Sequence, residues 1–406
     1  MAETMLIKLA GVFAVIIVLL LFHLPLNISI LGGVVLHVIL FKVPPVHCLH
    51  LITNVFTHWN SLSILIALYL ITMLQRILSK QHMIEQAYND LNDIFHNRRV
   101  TAVCAPMFIG LLPSAGAMKL ASDIIYDSSE GYLKPKEQAF CTTWIRHIPE
   151  SAMPTYPCVL LIAEIAGVPL STMMTAMIIP VAVLILVSYF PYLKRIPRQP
   201  DKISNSGNKG RSFLNLLYHL WPLILILILI LVFKTDTVIS MLITVILCII
   251  VYRFKRADLS SMLVSAFEPK LILNSLLILV LKEFIADSGV LQVLPDMLSG
   301  LPIPSYLVFA IMFFFGSFIS GSTAIVAIGA PLAFATLSGM PALPLLILLN
   351  CINHAVAQLS PTHVCILVAA DYFKVGLGDV IKKTFRPAFI FIAFAFAYYH
   401  LLSLFV

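Results

Sequence analysis

The sequence predicts an all-α integral membrane protein with ten transmembrane crossings, arranged as two inverted repeats of five crossings each. Three observations predict it. Apolar residues make up 60% of the 406-residue chain and charged residues only 11%. Long apolar runs recur along the chain, and the order of runs in the first half returns in the second. A soluble domain carries about 25% charged residues, so we expect the bilayer to be the solvent of this chain.

Charge and cysteine usage exclude several classes of function. The net charge of +7 comes from basic residues in short connections between apolar runs, so a nucleic-acid partner is not expected. The seven cysteines form no C-x-x-C pair, so neither a disulfide framework nor a metal site is predicted. No phosphate-binding loop, nucleophile–base signature or H-E-x-x-H motif is present, so we expect no enzyme and no cofactor apart from a possible coupling Na⁺.

The first repeat is predicted over residues 1–190. A span needs about 20 mainly apolar residues. No small-residue cleavage site follows the first run, so we expect a retained span and not a signal peptide. In chain order the predicted elements are spans at 5–22, 27–43 and 60–78, an amphipathic interfacial helix at 79–99, a re-entrant hairpin at 100–125, a broken helix at 139–168 and a span at 170–190.

A linker and a second repeat follow. Residues 191–213 are rich in Pro, Gly, Ser, Asn, Lys and Arg and have no apolar face, which indicates a linker. The second repeat is predicted over 214–406. Its elements are spans at 214–233, 237–252 and 269–286, a short amphipathic piece at 288–299, a hairpin at 303–336, a broken helix at 343–372 and a span at 385–405.

Individual residues repeat as well. Both broken helices carry the pattern H-x6-P-T-x2-C-x5-[DE], which begins at His147 and again at His354, 207 positions later. Both hairpins carry G-x3-S, at Gly110 and Gly316. Since His, Pro, Thr and acidic residues are rare in apolar runs, the pattern favours a true internal repeat over a chance alignment.

The distribution of Lys and Arg predicts the orientation. Hairpins that enter and leave on one side give five crossings per half, and an odd number inverts the second half. This arrangement collects most basic residues, including those of the linker, on one side, which the positive-inside rule assigns to the cytoplasm. We therefore expect a protein of the cell membrane with both termini outside. The loop at 44–59, with His47, His50 and His58, would be external, its histidines either solvated or metal-binding.

Four helix interruptions predict a binding site near the middle of the membrane. Broken helix is tolerated in lipid only where protein buries it or where it lines a wet cavity, and its ends can hold ions. The alternative is that these are only proline kinks and packing glycines. The predicted substrate-binding residues are Ser114, Gly116, Arg146, His147, Thr155, Ser320, Ser322, Thr323, Asn353, His354 and Thr362. The predicted cation-binding residues are Pro113, Ser114, Glu150, Ser151, Ser320, Gly321, Gln358 and Ser360.

Three ionisable residues near the first break have open roles. Arg146 is the candidate for a substrate carboxylate, because it carries a permanent positive charge; it could equally form an i,i+4 ion pair with Glu150. His147, like His354 in the second half, either relays protons or is a hydrogen-bonded packing group.

Four segments resemble an uncharacterised family of integral membrane proteins in the ion transporter superfamily. They are GLLPSAGAM (110–118), WIRHIPE (144–150), SGSTAIVAIGAP (320–331) and LSPTHVCILVAADYF (359–373). Ala115-Gly116 departs from the more usual Gly-Gly pair. The resemblance implies a scaffold and a transport domain, with ions and substrates at hairpin tips and broken helices. Related branches carry citrate, dicarboxylates or gluconate, often as homodimers.

The sequence therefore favours a secondary active transporter of a small anionic substrate, a carboxylate, coupled to Na⁺ or H⁺ and working by alternating access. A channel or uncoupled facilitator on the same scaffold is the alternative. The expected partners are the small-molecule substrate, the lipid bilayer and, by the resemblance, a second copy of the chain.

Overall fold

The computed structural model describes residues 2–22, 24–95, 97–111, 117–198, 209–290, 302–337, 339–361 and 363–405. Within these ranges the regular structure is helical and no strand is present. The all-α prediction is confirmed at this level. The first hairpin tip at 112–116, part of the linker and most of the amphipathic piece at 288–299 lie outside the described residues.

The helices of the first half are α1 (Ala2–Leu21), α2 (Leu26–Phe41), α3 (Pro45–Thr57), α4 (Trp59–Lys80), α5 (Met83–Phe95), α6 (Arg98–Ile109), α7 (Ala117–Ser129), α8 (Pro135–His147), α9 (Pro157–Ile165), α10 (Leu170–Ala176) and α11 (Ile178–Tyr189). Those of the second half are α12 (Lys209–Leu231), α13 (Thr237–Tyr252), α14 (Arg256–Ala266), α15 (Pro269–Asp287), α16 (Ser305–Ser320), α17 (Ser322–Thr336), α18 (Ala342–Ala357), α19 (Val364–Tyr372) and α20 (Leu377–Leu402).

Local signals set several of these helix starts. Proline is the first residue of α3, α8, α9 and α15. The backbone N–H at this position makes no hydrogen bond within the helix, so its absence in proline costs nothing there. The carboxylate of Asp236 caps α13 by accepting hydrogen bonds from the backbone N–H groups of Val238 and Ile239, at 2.8 and 3.3 Å. The helix starts are thus fixed by the sequence next to them.

The early helices of each half pack against the early helices of the other half. α4 of the first half contacts α13 and α14 of the second, and α15 of the second half contacts α2 and α3 of the first. In each half, therefore, the fourth helix packs on the second and third helices of the other half. An approximate two-fold relation between the halves would produce this pairing.

The hairpins and broken helices form the other part of the molecule. Here too, elements of one half contact elements of the other. α6 packs on α7 and α16 packs on α17, so each hairpin is a close antiparallel pair. α17 contacts α9 of the first half, and α7 contacts α19 of the second. The hydroxyl of Tyr372 on α19 donates a hydrogen bond to the carboxylate of Asp123 on α7. Each hairpin is thus held against the broken helix of the opposite half.

Length and composition support a membrane protein that crosses the bilayer several times. In the described part of the chain, four helical segments are long and apolar enough to span the membrane, at 61–80, 170–189, 209–231 and 377–402. The segment 170–189 consists of α10 and α11 together. α14 and α15 form a pair bent by 40° that would add a fifth span. Six further apolar helices are shorter, among them α2, α13 and those of the second hairpin. The chain is a multi-pass membrane protein, and the count of ten crossings stays a prediction.

The loop predicted at 44–59 is mostly the helix α3, so that prediction was wrong. Pro44 and Pro45 suggested a loop, but a proline in the first turn starts a helix as readily as it ends one. Leu51 and Val55, one turn apart, are buried, and α3 contacts both α4 and α15. The Nε2 atom of His47 lies 2.9 Å from the Asp287 carboxylate, so this histidine has a protein partner.

The helix α5, predicted as an amphipathic helix at the membrane interface, packs along α12. Ala87 and Leu91 are buried there. Asp90 is also buried and lies 2.6 Å from Nδ1 of His219 on α12. The sequence alone could not show this, because the histidine that pairs with Asp90 is 129 residues away.

Replacing Asp90 with alanine should destabilise the protein by about 1–3 kcal/mol, because His219 loses its hydrogen-bond partner in a partly buried contact. Thermal unfolding in detergent would measure the effect. Asp93→Ala is the matched control, since Asp93 lies one turn away on the same helix and is less buried. Equal losses of stability in both variants would contradict the role assigned to the pair.

Candidate functional site

Both broken helices are interrupted by prolines in the structure. In the first, α8 ends at His147, a 3₁₀ turn covers Ile148–Ser151, and α9 begins at Pro157. In the second, α18 ends at Ala357 and α19 begins at Val364, with Pro361 between them. A proline lacks the backbone N–H that would continue the helical hydrogen bonding, and its ring clashes with the carbonyl group one turn earlier. Each break leaves backbone groups without intrahelical partners.

Hydroxyl groups of the breaks bind the ends of the hairpin helices. The hydroxyl of Thr155 donates to the carbonyl of Leu111 at 2.8 Å, and that of Tyr156 donates to the carbonyl of Gly110 at 2.5 Å. In the second half the hydroxyl of Ser360 donates to the carbonyl of Phe318 at 2.8 Å. Thr155 and Ser360, predicted to bind substrate and cation, therefore also position the hairpins.

The tip of the second hairpin is a single residue. Gly321 separates α16 from α17 with φ 84° and ψ 166°, a conformation that a residue with a side chain rarely adopts. Ser322 and Thr323 follow in the first turn of α17. Pro113, Ser114, Gly116 and Thr362 lie outside the described residues, and only the backbone of Ser320 is described.

One small buried cavity collects residues from both breaks and from the second hairpin. Its volume is about 20 Å³. The predicted site residues that line it are Glu150, Ser151, Ser322, Asn353, His354 and Gln358; Cys158, Asn350, Ala357 and His363 complete the lining. A cavity needs about 10–15 Å³ to hold one water. In this conformation the cavity has room for a water or a monatomic ion but not for an organic acid.

Several buried polar atoms around the breaks have no hydrogen-bond partner. They are Nε of Arg146, Nε2 of His354 and Oε1 of Gln358. A buried donor or acceptor without a partner costs about 1–3 kcal/mol, so such atoms are rare in native structures. His354 and Gln358 line the cavity, and Arg146 lies beside His147 at the end of α8, so this region is a place where a polar ligand would complete the hydrogen bonding.

Arg146 is the one buried Lys or Arg side chain in the described part of the chain, with 4% of its surface exposed. Its Nη1 donates to Nε2 of His147 at 3.1 Å, and among the described residues no carboxylate lies within ion-pair distance of it. The i,i+4 pair with Glu150 is therefore not formed. Burying a guanidinium without a counter-ion is costly, so an anion is the ligand that would compensate this charge.

The two histidines of the repeated pattern differ in their surroundings. Nδ1 of His147 lies 2.5 Å from the carbonyl of Thr143, and its Nε2 lies 3.7 Å from the Glu150 carboxylate. His354 lines the cavity and its Nε2 has no partner. A small movement of the Glu150 carboxylate towards His147 would therefore let these two groups exchange a proton, whereas His354 has no such neighbour among the described residues.

Three further predicted residues have protein partners. The hydroxyl of Ser151 donates to the carbonyl of Ile148 at 2.7 Å, and the side-chain oxygen of Asn353 accepts from the hydroxyl of Ser317 at 2.7 Å. The hydroxyl of Thr323 lies 3.2 Å from Sγ of Cys158, which joins the second hairpin to the first broken helix. The contact of Thr323 with Cys158 therefore links the two halves, whereas the hydrogen bonds of Ser151 and Asn353 each lie within one half.

Sequence reasoning missed several members of this region. Asn350 donates to the carbonyl of Ser151 at 2.8 Å across the halves, and Tyr156 binds the first hairpin. His363 and Cys365 lie close to His147, with one donor atom from each residue within 4.8 Å of the others. The repeat pointed to Cys365, but only the fold shows what surrounds it.

Two larger cavities lie at the far end of α9, and both include Glu164. The first, of about 260 Å³, is also lined by Lys234 and Asp236. The second, of about 420 Å³, is also lined by Lys282. Since α9 has nine residues, these cavities are about 13 Å from the first break. They are large enough for an organic acid, but none of the described residues that line them has a buried polar side-chain atom without a partner.

Comparisons with known proteins give a family and a fold. A family model described as "protein of unknown function (DUF401)" matches residues 5–402. The crystal structure of the Alcanivorax borkumensis YdaH transporter is similar, with a TM-score of 0.58 and 14% sequence identity over 87% of this chain and 86% of that one. A search of curated proteins found no significant match. At this identity the structural likeness concerns the fold.

Proposed function

The chain belongs to the DUF401 family, and we propose from this premise that it is a secondary active transporter of a small organic anion, a carboxylate, coupled to Na⁺ or H⁺. The fold supports the proposal because it is shared with the YdaH transporter. The observation that carries it is the buried guanidinium of Arg146, which has no counter-ion among the described residues and lies where two broken helices meet. A transported anion would supply the missing charge.

The residues around the cavity suggest separate places for anion and cation. Arg146, with its unpartnered Nε, would bind the carboxylate, and the unpartnered Nε2 of His354 could accept a hydrogen bond from a substrate hydroxyl. Glu150, Ser151 and Gln358 contribute oxygen atoms to the same cavity, which suits a hard cation such as Na⁺. Glu150 could alternatively carry the coupled proton.

The small size of the cavity requires a conformational change. At about 20 Å³ it cannot admit a carboxylate until the hairpins or broken helices move apart. We propose that these elements move against a scaffold made of the early helices, α1–α5 and α12–α15. The hydrogen bonds from Thr155 to Leu111 and from Ser360 to Phe318 would keep each hairpin with its broken helix during the movement.

Contacts between basic and acidic side chains support the proposed orientation. Arg76 pairs with Glu268 at 2.8 Å and Lys80 with Asp258 at 3.1 Å, so the end of α4 meets both the start of α14 and the α14–α15 connection. Elsewhere Glu137 binds both Arg195 and Lys383. All four basic residues belong to the side that we assign to the cytoplasm. The exchanged contacts of the two halves support, in the same way, the proposal of inverted repeats.

Uptake into proteoliposomes tests the proposal. Purified protein would be reconstituted, and labelled mono-, di- and tricarboxylates supplied with an inward Na⁺ gradient, an inward proton gradient or no gradient. We expect at least one carboxylate to accumulate with one of the gradients, and an ionophore that collapses this gradient to stop accumulation. Protein-free liposomes are the control.

Three results would contradict the proposal in different ways. Equal flux with and without gradients, with no accumulation, would identify an uncoupled facilitator. Accumulation of neutral or cationic compounds alone would show that Arg146 does not select an anion. Gradient-driven uptake that survives neutralisation of Arg146 would place the substrate site elsewhere.

A further inference from the structure

His147, His363 and Cys365 come together between the two breaks, and each is a common metal ligand. Their donor atoms all lie within 4.8 Å of one another. The two imidazole rings meet edge to face, with centroids 4.8 Å apart. His147 ends α8 in the first half, whereas His363 and Cys365 flank the start of α19 in the second. The fold therefore brings ligand-type side chains from both broken helices to one point.

Each histidine has a ring nitrogen whose lone pair could bind a metal ion. Nδ1 of His147 lies 2.5 Å from the carbonyl of Thr143, and Nδ1 of His363 lies 3.0 Å from the carbonyl of Ala357. A carbonyl oxygen only accepts hydrogen bonds, so each Nδ1 carries the proton and each Nε2 of the neutral ring keeps its lone pair. Metal-binding histidines usually donate their other ring N–H to a carbonyl or carboxylate in this way, which fixes the tautomer.

We propose that His147, His363 and Cys365 bind one divalent metal ion of the Zn²⁺ class through two imidazole nitrogens and a thiolate. Two nitrogens and one sulfur suit Zn²⁺ or Co²⁺, whereas Na⁺, Mg²⁺ and Ca²⁺ prefer oxygen ligands. The Cys365 thiol releases its proton when the metal binds. Tetrahedral Zn²⁺ sites hold nitrogen and sulfur ligands about 3.3–3.6 Å apart, so the three atoms draw together by about 1 Å.

Glu150 completes the charge balance of this site. Its carboxylate lies 3.7 Å from Nε2 of His147, near enough to be a fourth ligand. A divalent ion with one thiolate and one carboxylate has no net charge. Neutrality matters here because a net charge buried in a membrane protein is costly.

Arg146 competes with the metal for the same ligands. Its Nη1 lies 3.1 Å from Nε2 of His147 and 3.9 Å from Sγ of Cys365. The guanidinium must turn away before a metal ion can bind, since two cations cannot share these ligands. Removing the charge should therefore tighten metal binding, by about tenfold or more.

The metal site stands without the proposed transport function, and direct binding tests it. Purified wild-type protein in detergent would be titrated with Co²⁺ under reducing conditions and followed by absorption. We expect one ion per chain, visible d–d bands of a four-coordinate site and a near-ultraviolet band from thiolate-to-cobalt charge transfer. Added Zn²⁺ should abolish these bands by displacement. Arg146→Ala should keep them and bind Co²⁺ more tightly.

Single substitutions assign the ligands. Cys365→Ser should lose the charge-transfer band, while Cys365→His should lose that band but retain the d–d bands, because an imidazole replaces the thiolate. His363→Ala should weaken binding at least about tenfold, as expected for a lost ligand. Cys158→Ser is the matched control, because Cys158 occupies the equivalent position of the first half and bonds to Thr323 instead. It should leave the spectrum unchanged.

Three results would overturn the metal site. The first is the absence of a charge-transfer band in wild-type protein at saturating Co²⁺. The second is a band that persists in Cys365→Ser and vanishes in Cys158→Ser. The third is equally tight binding in wild type, His363→Ala and Cys365→Ser. Size-exclusion profiles of each variant show whether it is folded, and Cys365→His keeps the test decisive if Cys365→Ser aggregates.

Discussion

Replacing Arg146 with alanine should reduce anion uptake on the order of 100-fold, because the loss of a buried charged partner costs about 2–5 kcal/mol. Arg146 carries the one buried guanidinium of the described chain, and its Nε has no partner. Arg146→Lys should keep part of the activity, since it preserves the charge but loses the planar fork that matches a carboxylate. Initial rates in proteoliposomes under the productive gradient would measure both.

The matched control is Arg256→Gln, which removes an equal charge from an exposed position at the start of α14. It should leave uptake unchanged. Cobalt binding separates a lost substrate contact from misfolding, because Arg146→Ala is expected to bind Co²⁺ better while transporting less. If Arg146→Ala and Arg256→Gln transported equally well, the guanidinium would have no part in substrate binding.

Replacing Gly110 with alanine should disrupt the first hairpin, at a cost of more than about 3 kcal/mol. An added Cβ at Gly110 would lie 1.9 Å from the backbone oxygen of Arg146 and 2.9 Å from its carbonyl carbon. A backbone atom cannot move away by changing rotamer, so α6 and α8 would have to separate. Their separation would also break the hydrogen bond from Tyr156 to the Gly110 carbonyl and displace Arg146.

Gly316 offers a control at the equivalent position of the second half. Its added Cβ would meet the Ile325 side chain, with Cδ1 at 2.2 Å and Cγ1 at 2.6 Å, so Ile325 must shift; these nearest atoms belong to a side chain, whereas those at Gly110 belong to the backbone. Gly316→Ala should therefore cost only about 1–3 kcal/mol. Thermal unfolding midpoints and yields of monodisperse protein would compare the two variants. A Gly110→Ala protein as stable as Gly316→Ala would show that the close approach of α6 and α8 is not required.

Some features of the site could be read from the sequence because they depend on neighbouring residues. Pro154 and Pro361 remove backbone N–H groups wherever the chain goes, and both lie between helices in the structure. Arg146 is a charged residue in an apolar segment, so it could be singled out as a candidate site residue without knowledge of its contacts. Local hydrogen-bonding chemistry and the rarity of charge in membrane segments are sufficient for such predictions.

Other features depended on residues far apart in the chain. The sequence suggested Glu150 as a partner of Arg146, because i,i+4 residues meet on a continuous helix. The helix ends at His147, however, so this spacing no longer applies, and the guanidinium turns to His147 and Cys365 instead. The pairing of Asp90 with His219 was hidden for a similar reason.

The amino-acid sequence by itself determined that this protein is helical, lies in a membrane and has proline-rich interruptions at two related places. These properties follow from composition and from the backbone chemistry of adjacent residues. Only the tertiary structure decided that the two interruptions enclose one small cavity and that His147 meets His363 and Cys365. Contacts between distant segments arise from how helices pack, and no local pattern encodes which side chains then become neighbours.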